Sequence, residues 1–140
     1  MMRRNQNGFT LIEIVAVLII LGILAAIALP RYFDMQDDSR KASLQGAIAA
    51  GHTNLNLAYS KYLITGGTNA TISGTPAAIT GTGGTTQTLP TEVGDFIATY
   101  SMNGTNCKVA ISGDASKGTG WVTGHAPADT EKSLACPWAQ

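Results

Sequence analysis

Few residues in this chain have the type and spacing to do chemistry. Gly8, Phe9 and Glu13 stand together in the run G-F-T-L-I-E, directly ahead of and into a long apolar stretch. A secretory leader would place its small residue behind a shorter apolar region, whereas Gly8 stands in front. Cleavage of the peptide bond after Gly8 would give Phe9 a free α-amino group. Glu13 lies four residues on, about one helical turn, so its carboxylate could meet that amine in its own chain or in a neighbour's. Cys107 and Cys136 are the only cysteines. They read most simply as one disulfide closing a loop of roughly 30 residues, with a pair of free thiols as the alternative. Such a bond contributes about 3–4 kcal/mol in the chain-entropy picture. A zinc site needs closer ligand pairs than these two supply. His52 and His125 are isolated, with no spacing that pairs them on a metal or beside a nucleophile. Asp114, Asp129 and Glu131 could bind Ca²⁺, but their spacing matches no calcium loop. Gly81-Thr82-Gly83-Gly84 lacks the Lys-Ser/Thr of a phosphate-binding loop. No catalytic set emerges, and the expectation is a protein that is not an enzyme and needs no metal or cofactor.

The element that positions Gly8, Phe9 and Glu13 is Phe9 to Leu29, FTLIEIVAVLIILGILAAIAL. At about 1.5 Å rise per residue it spans roughly 30 Å as a helix, the thickness of a bilayer core. It has no one-sided stripe, so it needs lipid or other helices all round. A carboxylate inside a bilayer costs about 2.5–3.5 kcal/mol on insertion scales, so Glu13 should have a partner, and no Lys or Arg lies near it on the helix. A plain anchor with Glu13 reaching for the interface is the simpler reading. It leaves Gly8 and the position of the charge unexplained. Arg3 and Arg4 should hold the N-terminus in the cytoplasm and place everything after Leu29 across the membrane.

Gly8 to Glu13, followed by this apolar run, resembles the class III leader and N-terminus of type IV pilins and related pseudopilins. The likeness covers about the first third of the chain through its motif and the remainder by general layout. It implies that residues 1–8 are a leader, that a prepilin peptidase cuts after Gly8 on the cytoplasmic side, and that Phe9 becomes N-methylphenylalanine. It also implies that Glu13 supports methylation and subunit docking. Gly22 and Pro30 resemble the residues that in type IV pilins bound a segment loosened on packing into the filament; the alternative is a kinked membrane helix. Pro30 to Asp34 and Ser39 to Gly46 resemble pilins of the mannose-sensitive haemagglutinin type.

Residues 30–140 should then form the globular part. From Arg31 to about Leu63 apolar residues recur at helical spacing, through Leu44, Ala47, Ile48, Gly51, Leu55, Ala58, Tyr59 and Tyr62. Asp34, Asp37, Asp38, Arg40 and Lys41 read as a solvated face, or as complementary contacts between subunits. Gly66-Gly67 ends this helix near residue 64. Residues 65–95, rich in Gly, Thr and Ala, read as a connecting loop with one short strand near Ile72 or Ile79. Asn69-Ala70-Thr71 and Asn103-Gly104-Thr105 match the N-glycosylation pattern, which arises often by chance. Phe96 to Met102 is predicted as a strand, Asn103-Gly104 as a primed hairpin turn, and Cys107 to Ser112 as the return strand. Gly120 to Gly124 is predicted as a third strand, and His125 to Gln140 as an irregular tail clipped by the cysteine pair.

The expected fold class is α+β: a long N-terminal hydrophobic helix packed on a small C-terminal antiparallel sheet, the ladle layout of pilins. Nine basic and nine acidic residues balance, so no nucleic-acid partner is expected. Loss of the leader with Arg3 and Arg4 leaves seven basic against nine acidic side chains. The resemblance implies a major pilin that waits in the inner membrane as a single-pass precursor with its N-terminus cytoplasmic. It would then polymerise into an extracellular helical homo-oligomer for adhesion or motility, served by pilus assembly machinery. A type II secretion pseudopilin is the alternative, disfavoured by the cysteine pair. A membrane-anchored binding module is the reading from another class, disfavoured by Gly8, Phe9 and Glu13.

Overall fold

The computed structural model describes residues 8–139. The expectations placed on residues 1–7, including the role of Arg3 and Arg4, lie outside the described residues. The elements run in the order of one long helix, seven strands and a short second helix placed before the last strand.

Helix α1 spans Leu11–Ile64, 54 residues, and passes through Gly22 and Pro30 without a break in assignment. Contacts divide the chain into a unit ending at Arg40 and a unit beginning at Lys41. In the first unit every residue from Gly8 to Leu29 is exposed. Arg40 Nη1 lies 3.6 Å from Asp37 Oδ1 one turn back, a largely exposed pair of the kind that contributes at most about 1 kcal/mol.

The second unit carries the core. Leu44, Ala47, Ile48, Leu55, Ala58 and Tyr62 are buried, the face that the 3.6-residue period anticipates. Helix and sheet approach closely at Gly51, where an added Cβ would stand 2.6 Å from Val109 Cγ1. The helix closes as a Schellman-type cap: the Gly67 N–H donates to the Tyr62 carbonyl at 3.1 Å and Gly66 takes φ 86°, a conformation open to glycine.

Two antiparallel sheets follow. The smaller pairs β1 (Thr68–Ser73), β2 (Ala78–Thr82) and β3 (Gln87–Thr88) in that order. The larger pairs β4 (Glu92–Val93), β5 (Phe96–Asn103), β6 (Asn106–Gly113) and β7 (Glu131–Ala135). Along β5, Phe96, Ala98 and Tyr100 are buried; along β6, Cys107, Val109 and Ile111 are. This is the alternation read from the sequence, and the α+β class stands. The β5–β6 turn closes on the pair Asn103–Asn106 with Gly104 at φ 61° and Thr105 at negative φ. That geometry is a type II′ turn, one of the primed turns that suit strand twist.

Three expectations give way. Residues 65–95 are not a loop with one strand but hold β1 to β4. The reason is Tyr62: its hydroxyl donates toward the carbonyls of Thr68 (2.8 Å) and Thr82 (3.3 Å). Gly67, Gly81 and Gly84 lie so close to this ring that a Cβ on any of them would overlap it. The glycines thus serve close packing rather than looseness. Gly120 to Gly124 is not a strand; Gly120–Val122 is a turn of 3-10 helix. Buried Thr119 governs that segment, its Oγ1 accepting from the Asp114 N–H at 2.7 Å and lying 2.9 Å from the Asp95 carbonyl. The tail is not irregular either. It forms α2 (Pro127–Thr130) and then β7, registered on β6 from Asn106–Ala135 to Ala110–Glu131.

Replacing Gly51 by Leu should lower stability by about 1–3 kcal/mol through overpacking against Val109. Gly46, exposed on the same helix with open space around its Cα, should gain about 1 kcal/mol as Ala from helix propensity. Thermal melts of the two variants beside the parent check both signs.

Candidate functional site

The N-terminal end of α1 is organised by two side chains. Thr10 precedes the first helical residue, and the Glu13 N–H donates to the Thr10 carbonyl at 3.1 Å. Glu13 Oε2 accepts from the Thr10 N–H and from the Thr10 hydroxyl, each at 2.8 Å. The Glu13 N–H also reaches Thr10 Oγ1 at 3.4 Å. This is a reciprocal capping box, which satisfies helix-end donors that no helical carbonyl can reach. Thr10-x-x-Glu13 ahead of an apolar run is its sequence signature. Sequence reasoning passed it over because it sought a partner for Glu13 outside the helix. The carboxylate therefore has a partner within its own chain, at the one end of the apolar stretch where a negative charge favours the helix dipole.

Behind the cap lies apolar surface with nothing packed on it. Phe9 is 84% exposed, Leu11 82% and Ile12 70%, and the large side chains through Leu29 are all at least 40% exposed. Each contributes about 1.5–3 kcal/mol when fully buried, so the run as a whole represents tens of kcal/mol of unrealised burial. The segment passes the length and composition test for a membrane span. Its chemistry is that of a surface awaiting lipid or other helices. Gly8 is exposed with open space around it.

Cys107 and Cys136 form a disulfide, joining residues 29 apart across a Cα–Cα distance of 4.9 Å. The neighbouring backbone reinforces it, the Cys136 N–H donating to the Thr105 carbonyl at 2.9 Å. The bond fastens the chain just after β7 to the start of β6.

The remaining candidates are not brought together. Among the described residues no group of three or more His, Cys, Asp or Glu could hold a metal ion. The Asp114 carboxylate accepts from the Ser116 N–H and hydroxyl, and Glu131 pairs with Lys108 at 3.0 Å. His125 sits edge-on to Trp121 with centroids 5.5 Å apart. A concavity of about 650 Å³ lies along α1 beside α2 and β7 and is lined in part by Gln45, His52, Asp129 and Lys132. His52 Nε2 is buried there. Burial holds the His52 pKa below its ordinary value; a hydrogen bond to the Lys132 backbone opposes this, and the Lys132 charge adds to it.

Comparison with known proteins converges on the same N-terminus. The family model of the prokaryotic N-terminal methylation motif matches residues 3–29. A type IV major alpha-pilin of Moraxella bovis is 51% identical over 53 residues, 38% of this chain and 33% of that protein. The type II secretion system core protein G of Pseudomonas aeruginosa is 48% identical over 50 residues, 36% of this chain and 35% of its own. A type IV major pilin of Neisseria gonorrhoeae is 34% identical over 113 residues, 77% of this chain and 60% of that protein. The chain thus spans about a third of the first two relatives and three-fifths of the third. No solved structure matches it.

The depressed pKa of His52 has a definite sign in stability. An unfolded histidine titrates near 6.5, and between that value and the lower folded one the unfolded chain binds more protons. His52 burial is therefore fully tolerated above the unfolded value, and stability is lost as pH falls through the folded one. Melts between about pH 7.5 and 5 should show a steeper loss for the parent than for His52→Gln.

Proposed function

We propose that this chain, which belongs to the type IV pilin family, is the structural subunit of a pilus and polymerises through residues 9–29. The carrying observation is the exposed apolar stretch from Phe9 to Leu29, which follows Gly8 and falls within the methylation motif matched over residues 3–29. In this reading residues 1–8 are a leader with the basic pair Arg3 and Arg4 on the cytoplasmic side. The chain waits in the inner membrane as a single-pass precursor. A prepilin peptidase removes the leader after Gly8, and the new amine of Phe9 is methylated. Assembly then exchanges lipid for other subunits around the same apolar surface and delivers the globular part to an extracellular filament.

Glu13 has two roles in this sequence of events. In the single chain its carboxylate caps the helix through Thr10, which keeps the charge hydrogen-bonded at the membrane edge. Cleavage creates a positive amine on Phe9, one residue before Thr10. In a packed bundle the carboxylate of one subunit and the amine of another attract in a low dielectric, where an ion pair is far stronger than in water. Gly22 and Pro30 bracket the stretch of helix with the poorest intrinsic propensity, about 1 and 3 kcal/mol below Ala respectively, and this stretch loosens on packing.

A pseudopilin of type II secretion is the second reading, supported by the likeness to core protein G. That likeness extends over 50 residues, while the likeness to a gonococcal major pilin extends over 113. The extent of the match and the Cys107–Cys136 bond favour the pilus.

Intact mass and N-terminal sequencing of material sheared from cells test the processing. The expected chain begins at Phe9 with one added methyl group; a surface fibre still beginning at Met1 would remove the cleavage assignment. Three variants separate the roles of Glu13. Glu13→Gln retains an acceptor for the Thr10 N–H but loses the charge, and should be processed yet yield few filaments. Thr10→Ala loses the hydroxyl contacts of the cap while keeping the backbone N–H contact and the charge, and should still assemble. Glu13→Ala should resemble Glu13→Gln. Normal filament numbers from Glu13→Gln would reduce Glu13 to a helix cap.

A further inference from the structure

The β5–β6 hairpin tip has a reactivity unrelated to assembly. Among the described residues Asn103 is the one asparagine followed by glycine. Asn103, Gly104 and Thr105 are all exposed, and an added Cβ on Gly104 would meet nothing within 4 Å. Gly104 and Thr105 are the two central residues of the turn, outside the ladder that ends at Asn103–Asn106. No backbone hydrogen bond engages the Gly104 N–H. In a two-residue hairpin that amide points away from both strands. It is therefore an unprotected nitrogen next to an unprotected side-chain amide.

We propose that Asn103 is a site of self-catalysed deamidation in the folded protein. The Gly104 backbone nitrogen attacks Asn103 Cγ, a new C–N bond closes a five-membered succinimide, and the Cγ–Nδ2 bond breaks. The proton lost from the Gly104 nitrogen leaves with Nδ2 as ammonia. Water then opens the ring at either carbonyl, giving aspartate or, with the backbone rerouted through Cβ, isoaspartate. No enzyme, metal or redox partner enters, and water is the only co-reactant.

The other asparagines among the described residues contrast with it in ways that matter to this step. Asn54 and Asn56 lie within α1, each followed by Leu, and their succeeding amides are held in the helix. Asn69 precedes Ala70 in β1 and Asn106 precedes Cys107 in β6. A side chain on the following residue crowds the attack, and an amide fixed in regular structure cannot swing toward Cγ. At Asn103 neither obstacle is present.

The product would alter more than charge. The Thr105 carbonyl holds the Cys136 N–H, and Met102 pairs with Cys107 one step down the ladder. Isoaspartate inserts an extra backbone carbon at the closing pair of the hairpin, so it loosens the turn where the C-terminal segment is fastened. Aspartate adds one negative charge at the tip and leaves the register intact.

The test is peptide mass mapping of the full-length protein, folded in detergent, during incubation at mildly alkaline pH. The peptide spanning Asn103 should gain about 1 Da and resolve into aspartate and isoaspartate forms, while peptides spanning Asn54, Asn56, Asn69 and Asn106 stay unchanged. Asn103→Ser, which retains a turn-compatible residue, should abolish that mass gain and the two product forms of this peptide. An unmodified Asn103 in the folded protein that reacts only after denaturation would overturn the proposal, because the fold would then protect the site. So would deamidation spread evenly over all five positions, or a sugar-sized mass on Asn103 of protein taken from cells.

Discussion

The constraint on which the rest depends is that α1 must satisfy two environments along one continuous helix. Up to Leu29 its apolar side chains surround it on every side and are exposed. From Leu44 its apolar residues fall on one face and bury against the sheets. The first pattern demands a non-aqueous surrounding or a bundle of like helices, since leaving such a surface in water would outweigh the stability of about 5–15 kcal/mol that a small domain commands. The second pattern needs only the chain's own strands. Everything polar near the start of the helix is arranged accordingly, with the single carboxylate at the first turn and no charged residue between Glu13 and Arg31.

The globular unit has roughly a hundred residues, where a single core is seldom large enough to be generous. Its strands are short, and β3 and β4 have two residues each. Point attachments compensate. The Cys107–Cys136 bond fastens the end of β7, and the Thr119 hydroxyl links the segment after β6 to the loop before β5. The Tyr59 and Trp138 rings, 4.9 Å apart, lay the last residues against α1. Each attachment joins positions distant in sequence, so each orders a segment whose local preferences are weak.

What could be read from the sequence divides along that line. The long helix was legible because apolar periodicity and the Gly66-Gly67 stop act locally. β5 and β6 were legible because Val, Ile, Phe and Tyr alternate and an Asn-Gly turn separates them. β7, with the sequence EKSLA, has no alternation of that kind; it is a strand because β6 offers it a register and Cys136 holds its end. β1 and β2 look like loop because Thr, Gly and Ala dominate them, and the ring that organises them belongs to a residue in the preceding helix. The stretch containing Trp121 and Val122 has strand-forming residues yet turns, because Thr119 draws its backbone inward. At the N-terminus the motif was legible at Gly8, Phe9 and Glu13. The cap between Thr10 and Glu13 was written in the same six residues, but a charge in an apolar run invites a search for an opposite charge before a neutral hydroxyl and amide.

Tyr62 sets a rule for how the outer surface of this protein can diversify. Three glycines rest against its ring, and its hydroxyl grips carbonyls from both β1 and β2. Substitution at Gly67, Gly81 or Gly84 would push on a side chain with no exposed surface. Gly74, Thr75 and Pro76, between β1 and β2, and the outward-facing Thr68 and Thr71 are exposed. Variation in this small sheet is thus channelled to the hairpin tip and the solvent side, while the seats around one aromatic ring stay closed to it. A protein built this way can change the face it shows while leaving its scaffold intact.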